Sequence, residues 1–146
     1  MKRRIFWGTL SILIMALIYY FSADNAAASN QKSDSVFTLL YPLVSAWLSE
    51  DQLVFAVRKG AHFLIYAALG MCMFQFFKTW NCSFGRTVIF TLAVCFCYAC
   101  SDEFHQLFIS GRSGQWSDVW LDTAGAGTAV LVTHLFTIFR NREKTG

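Results

Sequence analysis

The chain has 146 residues, of which 55% are hydrophobic and only 14% are charged. A soluble domain usually carries about 25% charged residues, so the composition excludes an ordinary water-soluble domain and indicates a surface that largely faces lipid. The length fits one domain spanning residues 1–146. The basic residues behind the net charge of +3 form no single patch, so we expect no nucleic-acid partner.

The first apolar segment, about 5–21, directly follows three basic residues at positions 2–4. It is long for the core of a signal peptide and just long enough to cross a bilayer as a helix. Cleavage after the alanines at 26–28 is the alternative, but the length of the segment favours a retained transmembrane helix.

Three further segments have the length and hydropathy of membrane-spanning helices, at about 53–77, 87–108 and 116–139. In the last of them Gly125 and Gly127 would allow close helix packing. Before them, apolar residues at helical spacing between about 35 and 48 are too few to span, so we expect a short interfacial helix there. The predicted fold class is an all-α polytopic membrane protein of the cell membrane.

The charges predict the orientation of the helices. If the N-terminus is cytoplasmic, eight of the twelve Lys and Arg residues and only one of the nine acidic residues lie on the cytoplasmic side. The rule that Lys and Arg concentrate in short cytoplasmic loops therefore predicts that both termini are cytoplasmic.

Helix length predicts that several charged side chains lie within the membrane. The uncharged part of the third segment, 88–100, has 13 residues and rises only about 20 Å, whereas the hydrocarbon core is about 30 Å thick. Asp102, Glu103 and Gln106 must then continue this helix into the outer third of the bilayer. The same calculation for 63–77 brings His62, and with it Lys59, to a similar depth.

Intramembrane charges are costly unless they are paired or face a wet cavity, so these groups should face one another. Helical spacings of three and four residues place the polar groups of each segment in one stripe. The predicted site comprises Arg58, Lys59, His62, Tyr66, Asp102, Glu103, Gln106, Arg112, Asp118 and Asp122.

Two motifs in this set resemble those of the VanZ-like membrane protein family. The first is Arg58-Lys59-x-x-His62-Phe63-x-x-Tyr66, and the second runs from Ser101-Asp102-Glu103-x-His105-Gln106 through Gly111-Arg112-Ser113-Gly114 to Asp118, Asp122 and Gly125. Ile65 stands where many members have an acidic residue, and Asp122 where many have Asn. The resemblance implies four helices, a cell-envelope setting and a connection with tolerance of the glycopeptide teicoplanin in bacteria.

Three functions are compatible with the predicted site. We favour binding of an anionic lipid headgroup or a peptidoglycan precursor from the outer side, because Arg suits fork-like recognition of such groups. An enzyme that hydrolyses a lipid phosphate or an envelope precursor is the second, with His62, Asp102 and Glu103 as catalytic candidates. The third is a purely structural charge network. We expect no cofactor, and we assign no metal site, although within the enzymatic alternative the carboxylates and His62 could hold a divalent cation.

Overall fold

The computed structural model describes residues 1–23, 41–42, 47 and 49–142. In this part of the chain there are four long α-helices and no strand: α1 (Lys2–Ser22), α2 (Glu50–Lys78), α3 (Phe84–Gln106) and α4 (Trp116–Arg142). Each is long and apolar enough to cross a membrane, which confirms the predicted all-α architecture with four spanning helices. Apart from residues 41–42 and 47, the predicted interfacial helix at about 35–48 lies outside the described residues.

The helices extend beyond most of the boundaries predicted from hydropathy. α2 begins three residues before position 53, because Ser49 and Gln52 form a capping box: Ser49 N–H donates to Gln52 Oε1 at 3.0 Å, and Gln52 N–H donates to Ser49 Oγ at 3.4 Å. α4 likewise continues three residues past position 139. α3 starts three residues early at Phe84 and ends two residues before position 108. Hydropathy marks the apolar part of a helix, whereas caps and turns decide where the helix ends.

Contacts between the ends of the helices show that they alternate in direction. At one end the guanidinium of Arg4 at the start of α1 lies 4.5 Å from the ring of Trp80, just after α2. At the other end Arg112, in the turn between α3 and α4, donates from Nη2 to the carbonyl of Phe21 at 3.4 Å. We call this second end the polar end: it holds the end of α1, the start of α2, the end of α3 and the start of α4.

The surfaces of the bundle divide as expected for a protein in lipid. Tyr66, Leu69, Cys95, Ala99 and Ala126 are completely buried between the helices. Large apolar side chains on all four helices point away from the bundle, among them Phe6, Ile12, Leu13, Leu64, Ile89, Phe90, Leu131 and Phe136. Helix packing in lipid therefore relies on close fit more than on the hydrophobic effect.

The tightest fit is between α2 and α4, which also share the most extensive interface. A Cβ added to Gly125 would lie 3.2 Å from the main-chain carbon of Phe63 and closer still to its carbonyl oxygen, and one added to Gly70 would lie 2.6 Å from Ala126 Cα. Gly127 was also expected at an interface. A Cβ added there would have only Leu92 Cδ2 nearby, at 3.8 Å, which is an ordinary van der Waals distance. Gly125 and Gly70 thus bring the two backbones together.

Candidate functional site

The close approach of α2 and α4 places a histidine beside a buried carboxylate. His62 immediately precedes Phe63, and Asp122 lies about one turn before Gly125, so the packing of Phe63 on Gly125 sets both side chains at the same level. Nδ1 of His62 lies 3.6 Å from Oδ1 of Asp122, just beyond hydrogen-bond distance. The Asp122 side chain is completely buried, while 27% of the His62 side chain is exposed.

The last turn of α3 adds two more buried carboxylates. Asp102 and Glu103 are 4% and 5% exposed, respectively. One ligand atom from each of His62, Asp102, Glu103 and Asp122 can be chosen such that all four lie within 4.8 Å of one another. We call these four residues the carboxylate–histidine cluster.

Two hydrogen bonds fix the orientation of Glu103. Gln106 Nε2 donates to Oε1 at 3.1 Å, and the backbone N–H of Gln115 donates to Oε2 at 2.8 Å. The second bond needs the turn after α3 to fold back onto the helix end. Gly114 permits this, because a Cβ there would lie 2.5 Å from the carbonyl oxygen of Glu103.

Several buried polar atoms around the cluster have no hydrogen-bond partner among the described residues. They are Nδ1 of His62, Oη of Tyr66, Oδ2 of Asp102 and both carboxylate oxygens of Asp122. Leaving one buried donor or acceptor unsatisfied costs about 1–3 kcal/mol. The charged and polar groups of the cluster are therefore only partly paired with one another.

A basic pocket opens above the cluster at the polar end. Its volume is about 180 Å³. Lys59 forms an ion pair with Asp118, and Arg58 is exposed and forms no ion pair within the described part of the chain. The pocket is lined by Phe55, Arg58, Lys59, His62, Gln106, Gly111, Arg112, Ser113, Gln115 and Asp118.

The structure brings all ten residues of the predicted site to the polar end. Six of them line the basic pocket: Arg58, Lys59, His62, Gln106, Arg112 and Asp118. Asp102, Glu103 and Asp122 complete the carboxylate–histidine cluster with His62. Tyr66, one turn below His62 on the same face of α2, is completely buried and close enough to interact with Asp102 and Asp122. Their roles in binding or catalysis stay predictions.

The sequence did not point to three further contributors. Gln115 acts through its backbone N–H, which no side-chain pattern can reveal. The carbonyl of Phe21 is similarly invisible in a sequence, and Ser22, which is buried beside Asp102, was not predicted as a site residue. The one available signal was the position of Ser22 at the end of a spanning segment that finishes level with the charged residues.

The fold and the site together define a polytopic α-helical membrane protein with a polar site built from the ends of its helices. A comparison with known families places it more narrowly. The VanZ/LLP1 family profile matches residues 7–137, nearly the whole chain, and the chain belongs to this family. Searches of curated proteins and of solved structures gave no significant match.

Proposed function

We propose that the protein binds the anionic headgroup of a membrane or envelope component in the basic pocket, from the outer side of the cell membrane. The observation that carries the proposal is the pocket itself, where Arg58, Lys59 and Arg112 converge from α2 and from the turn between α3 and α4. Arg guanidinium groups bind phosphate and carboxylate oxygens in a bidentate manner.

The size of the pocket restricts what can bind inside it. A volume of about 180 Å³ is below the range of about 300–1,000 Å³ that encloses a drug-sized ligand. A single phosphate or carboxylate group with its immediate substituent suits this space, while the rest of the ligand remains outside.

A second cavity supports an amphiphilic ligand. It has a volume of about 190 Å³, is lined mainly by apolar side chains including Phe104, Leu107 and Trp116, and shares Gln115 with the basic pocket. Phe104, Leu107 and Trp116 are largely exposed on the outside of the bundle, where a lipid chain would lie. We infer that the ligand has an anionic headgroup in the basic pocket and a hydrocarbon chain along this apolar cavity.

The proposal is tested with purified full-length protein in nanodiscs, titrated with a polyprenyl phosphate and, for comparison, with zwitterionic phosphatidylcholine. We expect Arg58→Gln to weaken binding of the phosphate about 10-fold or more, since a hydrogen bond to a charged group contributes about 1.5–3 kcal/mol. Arg140→Gln, at the opposite end of α4, is the matched control and should bind as the wild type does. Equal affinities of the two variants would contradict the proposal.

Hydrolysis of the bound lipid phosphate or precursor is a second candidate function. The feature that favours it is His62, which lines the basic pocket and has the Asp122 carboxylate 3.6 Å from its Nδ1. A histidine oriented by a carboxylate can act as a general base. Release of inorganic phosphate from the same lipid, lost in His62→Gln, would establish an enzyme, whereas binding without release would leave a binding protein. Growth in the presence of teicoplanin is the corresponding cellular assay, since the family resemblance implies a connection with glycopeptide tolerance.

A further inference from the structure

The carboxylate–histidine cluster lies beneath the basic pocket and differs from it in charge. Three of its four members are carboxylates, and they are at most 5% exposed. Of the cations nearby, Lys59 forms its ion pair with Asp118, and Arg112 interacts electrostatically with Asp102. Buried carboxylates need protons, paired cations or a metal ion.

Unpartnered atoms within the cluster point to a ligand. Asp122 is completely buried, and neither of its carboxylate oxygens has a hydrogen-bond partner among the described residues, although Oδ1 faces Nδ1 of His62. Oδ2 of Asp102 and Oη of the completely buried Tyr66 also have no hydrogen-bond partner among the described residues. These atoms come from three helices, so their proximity is a property of the folded bundle and not of one acidic stretch.

We propose that His62, Asp102, Glu103 and Asp122 bind a divalent transition-metal ion of the Zn²⁺ or Mn²⁺ type. The ligand atoms lie within 4.8 Å of one another. Bonds of about 2.0–2.2 Å to Zn²⁺ place tetrahedral ligands about 3.4 Å apart, so side-chain rotations that draw the four atoms together by up to about 1.4 Å complete the site. A mixed set of one imidazole nitrogen and three carboxylates favours these ions over Mg²⁺ and Ca²⁺, which prefer oxygen ligands alone.

The surroundings of the cluster match those of a metal site. Glu103 is held by Gln106 Nε2 and by the backbone N–H of Gln115, and such outer contacts orient a metal ligand before the ion arrives. The exposed part of His62 faces the basic pocket, so an ion can enter from there. The proposed ion site does not depend on what the basic pocket binds.

The test uses the full-length protein in detergent, stripped with a chelator and titrated with Co²⁺ as a spectroscopic substitute for Zn²⁺. We expect one equivalent to bind with visible absorption bands, and Zn²⁺ to displace it. Asp122→Asn and His62→Gln should each weaken binding about 10-fold or more, since each removes a direct ligand. Asp51→Asn, which changes an exposed carboxylate in the first turn of α2 and outside the site, should bind Co²⁺ as the wild type does.

Removal of a ligand could weaken Co²⁺ binding simply by unfolding the bundle. A second variant therefore keeps a ligand at position 62 but changes the absorption spectrum. His62→Cys places a thiolate at the same ligand position and is expected to add a sulfur-to-cobalt charge-transfer band. The idea fails if the folded wild type binds neither Co²⁺, Zn²⁺ nor Mn²⁺, or if His62→Cys binds Co²⁺ without the new band. It also fails if Asp122→Asn and Asp51→Asn have equal affinities. No lipid or phosphate is present in this titration, so its outcome is independent of the anion-binding experiment.

Discussion

Gly125→Ala is expected to destabilise the bundle, although alanine is the better helix former. The added Cβ would lie 3.2 and 3.3 Å from the main-chain carbon and Cα of Phe63, and closest of all to its carbonyl oxygen. These are backbone atoms, which cannot rotate away, so α2 and α4 must separate. Overpacking of this kind costs about 1–3 kcal/mol.

Gly127→Ala is the control that isolates the clash. It lies on the same helix, but its added Cβ would meet only Leu92 Cδ2, at 3.8 Å. Both substitutions gain the same helix propensity of about 1 kcal/mol. The free energies of unfolding of the two variants should therefore differ by about 1–3 kcal/mol, with Gly125→Ala the less stable.

Equilibrium unfolding in mixed micelles, followed by tryptophan fluorescence, measures this difference. A functional readout accompanies it, because separation of α2 from α4 also moves His62 away from Asp122. Gly125→Ala should therefore bind Co²⁺ more weakly than Gly127→Ala. Equal stabilities of the two variants would refute the argument that the backbone contact at Phe63 sets the spacing of the site.

Three other measurements address separate features. Tyr98→Phe removes the hydrogen bond from the Tyr98 hydroxyl to the carbonyl of Met15 and should lower the free energy of unfolding by about 0.5–1.5 kcal/mol in the same assay; no loss would mean that this bond does not hold α1 in place. Gly111 has a φ of 77°, so Gly111→Ala should cost about 1–2 kcal/mol, and an unchanged stability would show that the turn adopts another conformation. A single cysteine at Ser113, in a chain without the five native cysteines, should react with an impermeant maleimide added to intact cells. Reaction only after permeabilisation would reverse the predicted orientation.

The sequence was sufficient to predict the helices and the residues of the polar end, because both follow from simple limits. An apolar segment of 13 residues cannot cross the bilayer, so Asp102 and Glu103 had to continue α3 into it. The four-helix fold is confirmed, and the structure brings the predicted site residues to one end of the bundle. Helix length and bilayer thickness could not predict that these residues divide into a basic pocket and a carboxylate–histidine cluster.

That separation depends on contacts that have no pattern in the sequence. The sequence gives no reason to distinguish Gly125 from Gly127, yet of the two only Gly125 packs against the backbone of another helix. This contact places His62 opposite Asp122. The orientation of Glu103 depends on a backbone N–H in a turn. Sequence reasoning identifies which side chains are expensive to bury, but the packing of main chain on main chain decides which of them meet.

The end of α1 covers one side of the carboxylate–histidine cluster. Ser22 lies beside Asp102, the carbonyl of Phe21 accepts from Arg112, and the ring of Tyr19 lies 4.7 Å from that of His105. Removal of α1 would leave three helices still able to span the bilayer, but it would expose the Asp102 side of the cluster to hydrocarbon. A shortened chain that begins at α2 is therefore expected to insert into the membrane but to lose the cover that α1 gives to Asp102.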